Sequence, residues 1–425
     1  MTMFRADAAQ AAELDRADPL AGFRAHFHLP QHDGRDEIYL CGNSLGLQPR
    51  NTERYMREEL EDWQRLGVKG HFDGRRPWMP YHEFFAERTA RVVGAKPIEV
   101  VNMNSLTVNL HLMMTSFYRP TAKRHKIVIE RGAFPSDHYA MEAQIRLHGL
   151  DPDTSLVELA PATGRAYIEE SDIEALLEAE GESVALLMLP GVQYYSGQAF
   201  DMERIVRAGH ACGCTVAFDL AHATGNIPLK LHDWDVDFAV WCNYKYMNAG
   251  PGAVAGCFVH ERHARAFDRP RLAGWWGHDK QSRFRMGPEF VPMPGAEGWQ
   301  LSNPPVFGLA PLLASLELFD EAGMDRLRAK SLVLTAYLEF LLREKLSAEV
   351  EILTPADPQR RGCQLSLRLH AGRHQARRVF ERLEEAGVTG DWREPDVIRV
   401  APVPLYNSYT DVFGFVEILA GLVTA

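Results

Sequence analysis

The chain has 425 residues, 46% of them hydrophobic, so it can bury a large core and form more than one lobe. Its formal net charge is -11, which disfavours nucleic acid and anionic membrane as partners because both require a basic face. We therefore expect an enzyme that acts on a small molecule. The six cysteines show no paired framework and the N-terminus no apolar signal segment, so we expect a cytoplasmic location.

Short apolar runs alternate with helical stretches between about residues 97 and 260. The predicted strands are EVVNMN, HKIVIE, SVALLML, CTVAF and FAVWC. This alternation predicts an α/β fold with a mainly parallel sheet covered by helices. GAVAGCFVH at 252–260 follows the previous strand too closely for a helical crossover, so we expect a hairpin partner and a mixed sheet.

The remainder of the chain predicts a smaller C-terminal α/β domain. A long amphipathic stretch at 323–345 precedes the short strands VEIL, CQLSLRL and VIRVAP, which alternate with helices at 374–387 and 410–423. We divide the chain into an N-terminal segment that joins the small domain (1–65), a large domain (66–320) and the small domain (321–425).

One lysine and one aspartate indicate the cofactor. Asp219 ends a strand in VAFDLAHATGN, and Lys245 in WCNYKYMNAGPG follows the next strand. Pyridoxal phosphate (PLP) requires a lysine that forms an imine with it and an acid that pairs with its ring nitrogen. Asp219 could instead cap a helix, but the lysine downstream favours the cofactor site. The large domain is therefore predicted to bind PLP.

Two further motifs fit the same cofactor. NSLTVNL follows a strand and opens a helix, so Ser105 and Thr107 could present hydroxyls and backbone amides to a phosphate, although both residue types also simply cap helices. In GAFPSDHYA, Phe134 could stack on the ring and Asp137 could hydrogen-bond near it, although Pro-Ser-Asp is equally a common turn.

Other chemistries gain no support from motifs. GxGxxG, the P-loop and HExxH do not occur, which disfavours a nicotinamide enzyme, an NTPase and a bound metal. Cys363 alternates with leucines in GCQLSLRL, so we predict a core position in a strand rather than the mobile nucleophile of a PLP-dependent desulfurase.

With these residues assembled, the chain closely resembles the kynureninases, fold-type I PLP-dependent hydrolases of the class V aminotransferase-like superfamily. The resemblance runs from IYLCGNSLGLQP to RVAPVPLYNSYTDV and includes FPSDHYA, DLAHATGN, GWWGH and SNPP. It implies the fold-type I PLP-dependent transferase fold. It also implies hydrolysis of L-kynurenine or 3-hydroxy-L-kynurenine to anthranilate or 3-hydroxyanthranilate and L-alanine, a step of tryptophan degradation in the kynurenine pathway, which also serves NAD biosynthesis.

The resemblance also implies roles for individual residues. Lys245, Asp219 and Tyr244 would be catalytic, with Tyr244 touching the phosphate and donating a proton. The implied cofactor-binding residues are Leu106, Thr107, Phe134, Pro135, Ser136, Asp137, Asp219, His222, Tyr244, Lys245, Trp275 and Asn303. Pro190 departs from relatives that carry serine beside the cofactor, so a hydroxyl contact is lost there.

Substrate recognition is likewise implied by the resemblance. Arg399 would grip the α-carboxylate, a task suited to its bidentate guanidinium. The implied substrate-binding residues are Arg399, His71, Ser302, Asn303 and Asn43. The forms at His71, Ser302 and Asn303 resemble those associated with 3-hydroxykynurenine, which leaves the substrate preference open.

The family resemblance implies a homodimer in which Trp275 and Asn303 serve the neighbouring subunit. Two alternatives remain at this stage. One is a cysteine desulfurase or selenocysteine lyase of the same fold, which would need a mobile Cys363. The other is a catalytically silent PLP-fold protein, which has little reason to keep lysine, aspartate and arginine together.

Overall fold

The computed structural model describes residues 4–165 and 167–424. Its helices are α1 (Ala8–Ala17), α2 (Thr52–Leu66), α3 (Gly70–Asp73), α4 (Glu83–Val93), α5 (Leu106–Phe117), α6 (Pro135–Leu147), α7 (Pro152–Ser155), α8 (Glu170–Glu180), α9 (Met202–Ala211), α10 (Val306–Ala322), α11 (Met324–Leu346), α12 (Arg373–Glu385) and α13 (Tyr409–Val423). Its strands are β1 (Gln31–His32), β2 (Arg35–Asp36), β3 (Ile38–Tyr39), β4 (Val100–Asn102), β5 (Lys126–Glu130), β6 (Leu156–Leu159), β7 (Val184–Pro190), β8 (Thr215–Asp219), β9 (Phe238–Trp241), β10 (Gly256–Val259), β11 (Val350–Ile352), β12 (Leu365–Leu369), β13 (Val388–Thr389), β14 (Asp391–Arg393) and β15 (Val397–Val400).

The large sheet has seven strands in the order β4-β10-β9-β8-β7-β5-β6. Strands β5 to β9 pair in parallel, whereas β10 runs antiparallel to both β9 and β4. The predicted mixed, mainly parallel sheet is therefore confirmed, and so is the hairpin partner after β9. Strand β6, which follows the short helix α7 and lies at the edge of the sheet, was not predicted from the sequence.

A second sheet of four antiparallel strands, β11-β12-β15-β14, lies in the C-terminal part. Helices α11, α12 and α13 pack over it, and its apolar core includes Leu338, Leu367, Val379 and Phe415. The N-terminus contributes as well: β3 pairs in parallel with β13, and Leu40 is part of the same core. The domain limits at residues 65 and 320 stay a prediction.

The carboxyl ends of the parallel strands meet at one edge of the large sheet. Strands β7, β8 and β9 are buried along almost their whole length, as expected for parallel strands covered by helices on both faces. Polar residues that end or directly follow these strands are therefore brought together at that edge. Among the described residues, no helix is both long and apolar enough to cross a membrane.

The segment around Gly46 packs directly against the turn that carries Lys245. The backbone N–H of Gly46 donates to the carbonyl oxygen of Tyr244 at 2.8 Å. A Cβ at Gly46 would overlap the carbonyl oxygen of Lys245 and the side chain of Asn248, so this close approach requires glycine. The motif NSLGLQ thus supports the lysine turn from the N-terminal part of the chain.

Candidate active site

Most of the predicted site residues line one pocket at the carboxyl edge of the large sheet. They are Leu106, Thr107, Phe134, Ser136, Asp137, Asp219, His222, Tyr244 and Lys245. Pro190, at the end of β7, lines the same pocket, and Pro135 opens α6 between Phe134 and Ser136. Five separate segments of sequence are therefore assembled here by the sheet.

Lys245 lies beside a neutral histidine. Its Nζ is 2.9 Å from Nε2 of His222. Burial and the nearby Lys245 charge hold the pKa of His222 well below its usual range, so the imidazole is neutral and can accept a hydrogen bond from the lysine. The other ring nitrogen, Nδ1, is buried without a hydrogen-bond partner in the described part of the chain.

Two buried carboxyl groups, Asp219 and Asp137, lie close together in the same pocket. Asp219 ends β8 and accepts the backbone N–H of Ala221 at 2.7 Å, so it does not cap a helix. Burial raises the pKa of both Asp219 and Asp137, and the charge of Asp219 raises that of Asp137 further. Within the described residues, Oδ1 of Asp137 has no partner. A protonated ring nitrogen would satisfy this pair.

The start of α5 offers a binding site for an anion such as a phosphate. Thr107 is the second residue of this helix, whose first N–H groups have no intrahelical acceptor. Its Oγ1 lies 2.7 Å from Oγ of Ser136, at the start of α6. Two hydroxyls and the amino end of a helix therefore converge, as a phosphate requires.

Aromatic rings complete the pocket. Phe134 leaves 44% of its surface exposed, and its ring centroid lies 5.9 Å from Nζ of Lys245. The ring centroid of Tyr244 lies 6.0 Å from the same Nζ, and burial raises the pKa of its hydroxyl, which stays protonated near neutral pH. A lysine, an acid pair, an anion cradle and a free ring face thus match what PLP needs.

Arg399 is fully buried next to this pocket but already paired. Its Nη2 forms an ion pair with Asp391 at 2.7 Å, and its Nη1 donates to the carbonyl oxygen of Tyr194 at 2.7 Å. To bind a substrate carboxylate it would exchange the Asp391 contact. Asn43 lies near by: it donates to Gln364 at 3.1 Å, and Gln364 also donates to the Tyr194 carbonyl at 3.0 Å.

Four other predicted residues do not line this pocket within the single chain. His71 packs its ring against Trp78 at 5.5 Å, and Trp275 is 43% exposed. Ser302 and Asn303 are exposed on the surface. Their roles in cofactor or substrate binding stay a prediction.

Two polar residues that line the pocket, Glu130 and Tyr194, were not predicted from the sequence, and neither was Gln193, which contacts Glu130. Glu130 ends β5, is 4% exposed and lines the pocket. Gln193 donates to it at 3.3 Å, and the Tyr194 ring meets Phe134 edge-on at 5.4 Å. The signal was present for Glu130, because it is the polar residue that ends the run HKIVIE. Gln193 and Tyr194 follow β7 after a glycine and carry no motif.

A histidine cluster lies at the opposite edge of the sheet. Glu99, His232 and His260 bring their possible ligand atoms within 4.8 Å of one another. His232 Nδ1 is 2.9 Å from Glu99, and His260 Nδ1 accepts the N–H of Arg262, so its proton is on Nε2, which donates to the His232 carbonyl. Hydrogen bonds thus hold this cluster together, and the absence of a metal stays a prediction.

Cys363 is buried in the core, as predicted, although β12 begins two residues later. Its backbone N–H donates to Asn226 at 2.9 Å. Burial raises the pKa of its thiol to about 12, so the thiolate is not populated near neutral pH. These features disfavour a desulfurase nucleophile.

The mixed sheet and the lysine with its acid pair define a fold-type I PLP-dependent enzyme. Similar solved structures include a cysteine desulfurase from Thermococcus onnurineus (TM-score 0.74, 17% identity, 100% of both chains). Another is a C-DES variant with glycine covalently linked to its PLP cofactor (TM-score 0.74, 17% identity, 90% of this chain and 96% of that one). Likeness at this identity establishes the fold alone.

Sequence similarity gives the family. Residues 327–419 match the kynureninase C-terminal domain. Kynureninases from Koribacter versatilis and Xanthomonas campestris are 60% identical over 408 and 407 residues, which are 96% of each chain. The kynureninase from Myxococcus xanthus is 59% identical over 412 residues, 97% of this chain and 96% of its own. The chain belongs to the kynureninase family.

Proposed function

We propose that the protein hydrolyses L-kynurenine, or its 3-hydroxy form, to anthranilate, or 3-hydroxyanthranilate, and L-alanine, with PLP as cofactor. The main support is one combination: Lys245 lies beside neutral His222 and the buried acid pair, in a chain 60% identical to kynureninases over 96% of its length. The reaction consumes water. The bond between the β and γ carbons breaks, hydroxide adds to the acyl carbon and a proton to the β carbon.

PLP supplies the electron sink for these bond changes when it is bound in this pocket. We assign Asp219 to keep a proton on the ring nitrogen, with Asp137 beside it. The amine of Lys245, once exchanged for the substrate amine, removes the α-proton. Neutral His222 can accept a hydrogen bond from that amine and so orient its lone pair.

We assign Tyr244 as the donor of the proton that the β carbon receives. Its raised pKa keeps the phenol protonated, which a proton donor needs. Arg399 binds the substrate carboxylate by exchanging its contact with Asp391, and Asn43 lies near the same end. Thr107 and Ser136 hold the phosphate together with the start of α5.

The first experiment follows anthranilate fluorescence after L-kynurenine is added to PLP-loaded protein. A parallel reaction with 3-hydroxykynurenine, followed by absorbance, measures the substrate preference. We expect rapid release of product from at least one substrate. No turnover of either, in protein that shows normal cofactor absorbance, would reject the proposed function.

We also propose a homodimer in which His71, Trp275, Ser302 and Asn303 complete the neighbouring site. Trp275 is 43% exposed, and Phe284, whose ring centroid lies 5.5 Å from it, is 57% exposed, as expected for a face that a second subunit covers. A mixture of the inactive variants Lys245→Ala and Asn303→Ala tests this. Mixed dimers contain one intact site, so we expect activity to return on mixing. Activity that stays absent although exchange is complete would contradict a shared site.

We place the reaction in the cytoplasm. All six cysteines are free, and five of them are buried, as is usual for a protein of a reducing compartment. Cell fractionation with an antibody to the chain would test this location.

A further inference from the structure

The side chain of Gln193 is fixed in one orientation by the backbone around it. Its Oε1 accepts the N–H groups of Tyr195 and Ser196 at 2.6 and 2.7 Å, and the hydroxyl of Ser196 at 3.2 Å. The oxygen is therefore fully engaged, so the NH₂ group must point the other way, where it donates to Glu130 at 3.3 Å. Glu130 is the acceptor that completes the hydrogen bonding of this amide.

These bonds fix the turn from 193 to 198. The N–H of Gln193 donates to the carbonyl of Gln198 at 2.8 Å, and Gly197 donates to the carbonyl of Gln193 at 2.9 Å. From the C-terminal sheet, Ser366 donates to the carbonyl of Tyr195 at 2.6 Å. The turn thus connects the end of β7, which lies at the pocket, with strand β12.

Tyr194 presents two groups from this turn. Its ring contacts Phe134, the residue assigned to stack on the cofactor, and its carbonyl accepts the N–H of Arg399 at 2.7 Å. The guanidinium is buried, so its direction is set by what it donates to. A shift of the Tyr194 carbonyl would release one of its fixed hydrogen bonds.

We propose that Glu130 and Gln193 are positioning residues for the substrate carboxylate: they hold the turn from 193 to 198, and the Tyr194 carbonyl on that turn aims the Arg399 guanidinium. This inference rests on the function proposed above. Glu130, which lines the pocket, and Gln193, which donates to Glu130, are thereby assigned to the binding step rather than to proton transfer.

Glu130 can fulfil this role as a neutral carboxyl group. Burial raises its pKa to about 8, and the charge of Asp219 raises it as well. A protonated carboxyl still offers its carbonyl oxygen to the Gln193 amide. Glu130→Gln keeps that oxygen and should preserve the turn, whereas Glu130→Leu and Gln193→Leu should release it.

The test measures binding of L-alanine and of ethylamine, which lacks the carboxylate, by titration of the cofactor absorbance of the PLP-loaded protein. The ratio of the two dissociation constants reports the carboxylate contact alone. We expect Gln193→Leu and Glu130→Leu to lower the preference for L-alanine about tenfold, as for one lost or misdirected charge-assisted hydrogen bond. Glu130→Gln should keep it within about twofold.

A matched control is Glu170→Leu. Glu170 is a buried acid, 6% exposed, that accepts the N–H of Asp201 at 3.0 Å and does not line the pocket. The variant Glu170→Leu should lower the free energy of unfolding and leave the preference for L-alanine unchanged. In kinetics, the KM for kynurenine should rise with Gln193→Leu more than kcat falls.

An unchanged preference in both Gln193→Leu and Glu130→Leu would overturn the proposal, and so would an equal loss in Glu170→Leu. Wild-type protein that binds ethylamine as tightly as L-alanine would overturn it too, because no clamp would exist. Wild-type protein that keeps this preference but does not cleave kynurenine would reject only the proposed reaction. If Glu130→Leu fails to fold, Gln193→Leu alone decides.

Discussion

Buried acids and histidines lie at both ends of the parallel strands in the large sheet. Their hydrogen bonding differs between the two ends. At the amino edge, where the parallel strands begin, Asp237 accepts hydrogen bonds from Val216, His210, His263 and Arg262 at 2.6 to 2.9 Å. At the carboxyl edge, which carries the pocket, Asp137 and His222 each keep a buried polar atom without a partner in the described residues.

The pKa shifts follow this difference. Burial acts against ionisation at both edges, but hydrogen bonds from His210 and His263 outweigh it and lower the pKa of Asp237. For Asp137 burial is reinforced by a second carboxylate, and the pKa is raised. A satisfied cluster stabilises the fold, whereas an unsatisfied one holds free energy that a ligand can recover.

The largest effect on catalysis without a matching effect on stability is expected for Lys245→Ala. It removes the cofactor attachment and the proton carrier, so kcat should fall about 10²–10⁴-fold or more. The free energy of unfolding of the cofactor-free protein should change by no more than about 1 kcal/mol, because few contacts are lost. Product assays and urea unfolding measure the two quantities. Lys230→Ala, at an exposed lysine, is the control and should change neither.

The converse is expected for Asp237→Asn. Three basic side chains lose a buried anion, which should lower the free energy of unfolding by roughly 3–5 kcal/mol. The kcat per folded molecule should stay at the wild-type value. Asp33→Asn, whose side chain is 93% exposed, provides the comparison and should have almost no effect on unfolding. A large loss of kcat in Asp237→Asn would show that the two edges are not separate in function.

The contributions of Glu130 and Asp237 to the free energy of unfolding should depend on pH with opposite sign. The folded pKa of Glu130, about 8, lies above its ordinary 4.5, so its contribution to stability is complete below pH 4.5 and is lost as pH rises through about 8. Over that window cofactor-free Glu130→Gln should gain roughly 2–4 kcal/mol relative to wild type. For Asp237 the pKa is lowered, so stability is instead lost as pH falls. Urea midpoints between pH 4.5 and about 8 measure the Glu130 effect, and midpoints below pH 3.8 measure the Asp237 effect. A difference between Glu130→Gln and wild type that stays constant across the first range would contradict the assignment of Glu130.

The smallest effect is expected for Thr107→Val. Loss of one hydroxyl should weaken PLP binding about tenfold, the scale of one hydrogen bond to a charged group, without a change in kcat at saturating cofactor. A PLP titration measures it. Thr115→Val, on the same helix, removes a hydroxyl that donates to the carbonyl of His111 and should leave PLP affinity unchanged. Equal losses would mean that α5 is destabilised as a whole.

Much of the large sheet could be predicted from the sequence, because its buried strands are apolar runs that end in polar residues. Lys245 and Asp219 follow from that pattern alone. Strand β6 escaped because Leu156–Leu159 includes a glutamate and is only partly buried at the sheet edge. The position of β4 at the edge of the sheet was not predicted either. No local sequence signal shows that the antiparallel strand β10 inserts between β4 and β9.

The part of the site that was not predicted likewise depends on contacts that leave no pattern in the sequence. Tyr194 acts through its backbone carbonyl, which every residue type possesses. The side-chain amide of Gln193 bonds to backbone N–H groups of its own turn and to Glu130, so no residue pattern marks either position. The ion pair between Arg399 and Asp391 joins strands whose register only the folded sheet defines. The sequence supplies side chains with chemistry, and tertiary structure supplies their partners.

The contact of Gly46 with the lysine turn has a consequence for biosynthesis. The segment that carries Gly46 is fixed by β3, which pairs with β13 some 350 positions later in the chain, as Val388 lies opposite Ile38. A chain still on the ribosome lacks this partner until nearly all of it has emerged. The catalytic turn therefore gains its N-terminal support last, and truncated chains that contain every pocket residue from Leu106 to Lys245 should remain unable to catalyse the reaction.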